Sequence, residues 1–102
     1  MTGIEWHFLI PSRTSLRRGE ALNLLIGAGN SADEDILCPV RVWARTDGDP
    51  FLLTMEEKKL AGGQTTHVYI TVPASSLAAI DDDEFIICLD GEAFPQMICF
   101  ND

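Results

Sequence analysis

The sequence has few cysteines and lacks the spacings that would give them a role. Cys38, Cys88 and Cys99 are the only three, and no two of them form a Cys-x-x-Cys pair. The patterns typical of zinc sites and of disulfide frameworks are therefore missing. Each cysteine lies in an apolar, strand-like run, which favours a buried free thiol. A bridge between Cys88 and Cys99 stays open, and it would imply an oxidising compartment.

The chain is also short of positive charge, with 7 Lys+Arg against 16 acidic residues and a net charge of −9. Binding to nucleic acid and to anionic membranes both rest on basic clusters, so we expect neither partner. No apolar run approaches the ~20 residues of a membrane span, and the start has no signal-peptide pattern. We therefore expect a cytoplasmic protein as the sequence stands, or a secreted or cell-surface one if it is a domain of a longer chain.

The 102 residues suffice for one domain with its own core. With 46% hydrophobic and 23% charged residues, the composition is that of a globular chain. No internal repeat, low-complexity tract or linker divides it. The sequence therefore predicts a single domain over residues 1–102.

Apolar residues recur with a period of two and not 3.6, which indicates strands. At the start of the chain, Ile4, Trp6, Phe8 and Ile10 alternate onto one face. The pattern leaves room for at most one short helical turn, near residues 74–80. It predicts an all-β, two-layer sandwich of seven antiparallel strands. The expected strands cover residues 4–10, 21–29, 36–45, 51–60, 65–72, 84–89 and 94–100.

Three segments, "GEALNLLIGAGN", "VRVWARTDG" and "KLAGGQTTHVYITVPA", add a resemblance. They are similar to small bacterial immunoglobulin-like domains of the CARDB and fibronectin type III-like kind. The resemblance implies a seven-stranded antiparallel immunoglobulin-like β-sandwich, and it implies no activity, because many functions occur on that scaffold. The positions that carry it are Gly19, Glu20, Asn30, Leu60, Ala61, Gly63 and Thr66.

Acidic residues cluster in the expected loops, with Asp33 and Asp35 in one and Asp81 and Asp83 in another. Calcium takes six to eight oxygen ligands, often from loops that meet at one end of a sandwich. Neither loop has the spacing of an EF-hand, so solvated loop acids are the favoured interpretation. The sequence predicts no metal and no other cofactor, and these four residues are only weak calcium candidates.

The sequence contains no Gly-x-Ser-x-Gly or similar catalytic motif. Its two histidines, His7 and His67, lie on the polar faces of expected strands. We therefore expect that the chain is not an enzyme, although it could be a non-catalytic subunit of one, in which case both histidines are of interest. Trp43 and Tyr69 are expected to point outward, which leaves carbohydrate binding open as an alternative.

One strand is apolar on both faces. In "EFIICL" one face carries Phe85, Ile87 and Leu89. The other face carries Ile86 and Cys88, where a strand with one wet side should have polar residues. An apolar outer face of this kind usually marks an interface.

The outward residues of the third, sixth and seventh expected strands should merge into one patch centred on Trp43. We therefore predict a non-catalytic interaction module that binds protein through this face, either a second copy of itself or a larger subunit. An accessory calcium- or carbohydrate-binding module is the alternative. The residues expected at the interface are Leu37, Arg41, Trp43, Arg45, Ile86, Cys88 and Ile98.

Overall fold

The computed structural model describes residues 3–101, and in this range the chain forms eight strands, one short α-helix and one 3-10 turn at Asp90–Glu92. No helix among these residues has the length and apolar character needed to cross a membrane. The elements are β1 (Ile4–Pro11), β2 (Ser15–Leu16), β3 (Leu22–Asn30), β4 (Ile36–Arg45), β5 (Phe51–Leu60), β6 (Gln64–Val72), α1 (Ala74–Leu77), β7 (Glu84–Leu89) and β8 (Ala93–Phe100).

The strands form two sheets. The small sheet has the order β1-β3-β6, and the large sheet has the order β2-β8-β7-β4-β5. All pairs are antiparallel except β2 with β8, which is parallel. The prediction of an all-β fold with one short helical turn is confirmed. The finer prediction of a seven-stranded immunoglobulin-like sandwich is not confirmed, because the two-residue strand β2 is an eighth strand that the sequence pattern missed.

The core lies between the sheets and is built by simple alternation. Along β4 and β6, every second side chain is buried, and β-branched residues dominate those positions. Full burial of one such aliphatic side chain contributes about 1.5–3 kcal/mol. The core includes Leu22, Leu24, Ile26, Val40, Val42, Val68, Ile70, Val72, Phe85, Ile87 and Ile98.

The alternation predicted for β1 is wrong in its second half. The register with β3 shifts between Trp6 and Phe8, and a bulge that adds one residue moves every later side chain to the other face. Leu9 is therefore buried in the core, whereas Phe8 and Ile10 lie on the outer face. Gly27 makes room for this arrangement, because a Cβ atom there would lie 2.3 Å from the Phe8 ring.

Asn30 is the only buried polar residue among residues 3–101. Its Nδ2 donates to the carbonyl oxygens of Glu34, at 2.9 Å, and Leu60, at 3.1 Å. Its Oδ1 accepts from the N–H of Ala32 at 3.0 Å. The side chain thus connects the end of β3 to the loop before β4 and to the end of β5, and all its bonds stay inside the protein.

Arg18 fixes the segment that leads into β7. Its Nη1 donates to the carbonyl oxygen of Ile80 at 2.7 Å, and its Nη2 donates to that of Asp82 at 3.0 Å. The guanidinium carbon lies 4.1 Å from the centroid of the Phe100 ring, a cation–π contact. A planar fork with several donors suits this position better than the point charge of lysine.

Replacement of Asn30 by Ala should lower the free energy of unfolding by about 2 kcal/mol, because it leaves buried backbone groups without partners. Urea denaturation at equilibrium would measure the change. Asn23→Ala is the control, since Asn23 lies on the same strand but is exposed, and it should cost less than about 0.5 kcal/mol. Equal losses for the two variants would contradict the role assigned to Asn30.

Candidate functional site

The outer face of the large sheet is where the sequence predicted an interface. The strands β4, β7 and β8 are neighbours, as predicted. Arg41, Trp43 and Arg45 alternate with buried residues along β4 and so point outward. The register pairs Trp43 with Cys88 and Arg45 with Ile86, and residues opposite each other in an antiparallel pair share a face. Five of the predicted interface residues thus meet on this surface.

A polar network covers the middle of this face. The indole Nε1 of Trp43 donates to Oδ1 of Asp90 at 2.7 Å, and Nη1 of Arg41 donates to Oδ2 of the same carboxylate at 3.2 Å. Nη1 of Arg45 donates to Oε1 of Glu92. Each carboxylate therefore has an arginine as its partner. We refer to these five residues as the Asp90 network.

The turn between β7 and β8 places both carboxylates over the sheet. Gly91, Glu92 and Phe94 have φ angles of 72°, 58° and 53°. Glycine adopts this left-handed conformation freely, but other residues held in it cost about 1–3 kcal/mol each. The turn persists because the arginines and the indole hold its side chains from below.

Cys88 lies beneath this turn. It occupies an outward position on β7, yet it is only 1% exposed. Burial, followed by the charge of Glu92, raises the pKa of its thiol.

Cys38 and Cys88 are buried free thiols, as predicted, and Cys99 is a half-buried one. The alternative bridge between Cys88 and Cys99 does not form, because Cys99 pairs with Glu84 at the far end of the hairpin.

The prediction that Ile98 belongs to the outer face is wrong. Ile98 is fully buried in the core, because it pairs with Phe85 and shares the inward face of that residue. The residue opposite Ile86 is Met97, and Met97 is 53% exposed. Met97 therefore takes the place that the sequence interpretation gave to Ile98.

Two further residues of this face were missed by the sequence interpretation. Leu52 and Met55 of β5 pair with Trp43 and Arg41, and each is 47% exposed. The apolar run "FLLTM" was the available signal. The β4–β5 register shifts after Val42, so the simple inward–outward alternation does not show which of these residues face outward. We call the exposed and half-exposed apolar side chains of this face the outer-face patch. Its members are Leu37, Leu52, Met55, Ile86 and Met97.

The outer face of the small sheet carries the histidines. The ring of Phe8 lies edge-on to that of His67, with centroids 5.4 Å apart. His7 covers Gly29, where a Cβ atom would lie 2.6 Å from its Nε2. Tyr69 is exposed on this same side. Tyr69 and Trp43 therefore lie on opposite sides of the sandwich and cannot form one row for a sugar chain.

The two acidic loops lie at opposite ends of the sandwich. Asp35 directly precedes the start of β4, whereas Asp83 precedes β7, whose first residues pair near the end of β4. The Gly62 N–H, and then Lys59, lower the pKa of the Asp35 carboxyl. Asp33 and Asp81 belong to these same two loops, so the weak calcium candidates do not converge. Within residues 3–101, no three His, Cys, Asp or Glu side chains group as metal ligands do.

No protein-family model matches the sequence, and no curated protein matches it. Its fold is similar to parts of solved β-glucosidases. The similarity to a β-glucosidase of Erythrobacter marinus has a TM-score of 0.78 at 13% identity and covers 98% of this chain and 16% of that chain. A β-glucosidase of Listeria innocua in complex with glucose gives 0.71 at 13% identity, covering 97% and 16%. β-Glucosidase 3B of Thermotoga neapolitana gives 0.67 at 15% identity, covering 99% and 16%.

These findings correct two predictions. The resemblance to bacterial immunoglobulin-like domains of the CARDB kind is not supported, since no family model matches and these solved structures are β-glucosidases. The prediction that the chain is not an enzyme is contradicted, because the structures that share its fold belong to enzymes. The short turn motifs behind the first prediction encode backbone geometry that unrelated β proteins share.

The geometry predicts an order of thiol reactivity. At about pH 8, a reagent such as DTNB should modify Cys99 first, because the thiolate reacts and burial raises the pKa of both Cys38 and Cys88. Asp90→Ala removes the bonds to Trp43 and Arg41, so modification of Cys88 should become about tenfold faster or more.

Mass spectrometry of the labelled cysteines over time would measure both effects. Glu57→Ala, which removes an exposed carboxylate on β5, is the matched control and should leave the rate at Cys88 unchanged. If Cys88 reacts as fast as Cys99 in the unaltered protein, the cover assigned to the Asp90 network is wrong.

Proposed function

We propose that this chain is a part of a β-glucosidase-type glycoside hydrolase, and that it joins the rest of that enzyme through the outer face of its large sheet. The observation that carries the proposal is the asymmetry of coverage. The matches span 97–99% of this chain but only 16% of the β-glucosidases. In those enzymes, a unit of this size accompanies a much larger remainder.

The composition of the outer-face patch supports this docking surface. Leu52, Met55 and Met97 are each about half exposed although they lie on regular strands. Trp43 and two arginines lie between them, and tryptophan and arginine are the residue types most enriched at binding hot spots. Methionine adapts its shape to a partner at low cost, which also favours a contact surface.

The Asp90 network supports the same proposal through its rigidity. Trp43 and the two arginines are already held by carboxylates of the same chain, so little side-chain freedom remains to be lost on binding. Ordering one long side chain at an interface costs about 0.5–1.5 kcal/mol. A surface whose large side chains are fixed in advance avoids part of that cost.

The occupant that we propose is the larger chain that completes the hydrolase, either covalently joined to this unit or encoded beside it. Self-association through the same face is the competing outcome. The two are separable because a two-fold dimer places the same residues of both copies in contact, whereas a larger partner leaves the isolated chain monomeric.

Substitution of both Leu52 and Met55 by Asp should weaken association with the larger hydrolase chain at least tenfold, because two apolar contacts are replaced by charges that must be desolvated. The fold should be retained, since both side chains are about half exposed. Co-purification and sedimentation velocity with the adjoining hydrolase chain would measure the change. Hydrolysis of p-nitrophenyl β-D-glucoside would show whether the complex is active.

Tyr69→Asp is the matched control, because Tyr69 is the most exposed large apolar residue of the opposite face, at 71%. It should leave association unchanged. A stable dimer of the isolated chain that the double variant abolishes would replace the larger partner with a second copy. Equal weakening by Tyr69→Asp would show that the large-sheet face is not the docking surface.

A further inference from the structure

An open cleft lies beside the Asp90 network. It has a volume of about 490 Å³, and its walls are Trp43, Pro50, Cys88, Leu89 and the turn Asp90–Glu92. This volume falls within the range of small-molecule sites, roughly 300–1,000 Å³. Cys88 and Leu89 are 1% and 0% exposed, so the accessible walls are the indole, Pro50 and the turn with its two carboxylates. This is the mixture expected for a ligand with one apolar and one polar side.

Trp43 gives the cleft a platform of fixed orientation. Its Nε1–H donates to Asp90 at 2.7 Å, so a charge-assisted bond fixes the direction of the indole N–H. The side chain is half-buried and lines the cleft, which leaves part of the ring surface for a ligand. A flat apolar surface of this kind packs against a ring whose faces carry C–H groups.

The two carboxylates in the cleft wall are each paired with an arginine that is not part of the wall. Asp90 is paired with Arg41, and Glu92 is paired with Arg45. The two carboxylates and the two guanidinium groups therefore cancel, although the chain as a whole carries a charge of −9. A balanced site does not favour a strongly charged ligand of either sign, and a neutral ligand avoids the desolvation cost of a charge.

The carboxylates keep hydrogen-bonding capacity. An ionised carboxylate offers about four acceptor positions. Asp90 accepts two hydrogen bonds, from Trp43 and Arg41, and Glu92 accepts one from Arg45. The remaining lone pairs can accept bonds from hydroxyl groups. The left-handed backbone at Glu92 and Phe94 holds these acceptors at the edge of the cleft, and such local strain concentrates at functional sites.

We propose that this cleft binds a neutral hexopyranose, with the C–H face of the sugar ring stacked on Trp43 and its hydroxyls donating to Asp90 and Glu92. The cleft geometry and the charge balance indicate a neutral, polyhydroxylated ring. The choice of a glucose-type sugar within that class rests on the proposed function. The site then places a sugar subsite on the same face that contacts the rest of the enzyme.

The test is an NMR titration of the 102-residue chain with glucose and with laminaribiose, following the two indole N–H signals. Trp6→Phe assigns them, because only Trp6 and Trp43 contribute. A ring that stacks on Trp43 should shift its indole signal in a saturable way with a Kd near ~1 mM, and the Trp6 signal should not move. Sorbitol, an open-chain polyol, should produce no saturable shift.

Glu92→Gln should weaken sugar binding about tenfold, since it replaces a charged acceptor by a neutral one and breaks the pair with Arg45. Tyr69→Phe, on the other side of the sandwich, should have no effect. Absence of any Trp43 shift at ~50 mM of either sugar overturns the proposal, as does an equal response to sorbitol.

Failure of this inference is distinguishable from failure of the proposed function. The Leu52→Asp, Met55→Asp variant tests association at residues that do not line the cleft. A chain that assembles with the hydrolase but shows no sugar shift overturns the cleft alone. A chain that binds sugar but does not assemble overturns the docking surface alone.

Discussion

The outer face of the large sheet depends on one carboxylate. Asp90 accepts hydrogen bonds from the indole of Trp43 and from Arg41, and because both side chains of the Arg41–Asp90 pair are 40% exposed, that pair contributes no more than about 1 kcal/mol. The same turn holds Glu92 and Phe94 in left-handed conformations that cost about 1–3 kcal/mol each. The bonds to Asp90 and Glu92 offset part of this cost and hold both carboxylates over the sheet.

The position of this turn explains part of the reason why β7 is apolar on both faces. Cys88 points outward but needs no polar replacement, because it is only 1% exposed beside the turn. Ile86, Leu52 and Met55 have no such cover and stay partly exposed. Two different causes therefore produced one sequence signal. One part of the apolar outer face, at Cys88, is buried beside the network, and the other part is exposed surface.

The alternation in the sequence predicts the strands and most of the core. It does not predict positions that depend on how one strand pairs with another. Strands such as β4 and β6 alternate without a break, so their inward residues follow directly from the pattern. A single bulge after Trp6 reverses the faces of β1, and only the partner strand reveals it. The bond between Trp43 and Asp90 spans 47 positions in the chain, and no local pattern encodes it. The acidic turn of the last hairpin was visible as a turn, but its role over β4 was not.

Both outer faces keep an open recess, and the two recesses differ in the chemistry of their walls. On the small sheet, Gly27 and Gly29 leave recesses in the central strand, and the rings of Phe8 and His7 fill them. Ile10 and Tyr69 remain exposed there, and with Leu25 they border an apolar recess of about 310 Å³. On the large sheet, the recess beside Trp43 is bordered by Asp90 and Glu92, and each of these carboxylates is paired with an arginine. The recess with fixed polar side chains supports our proposal that the large sheet carries the contact surface, because such side chains lose little freedom on binding.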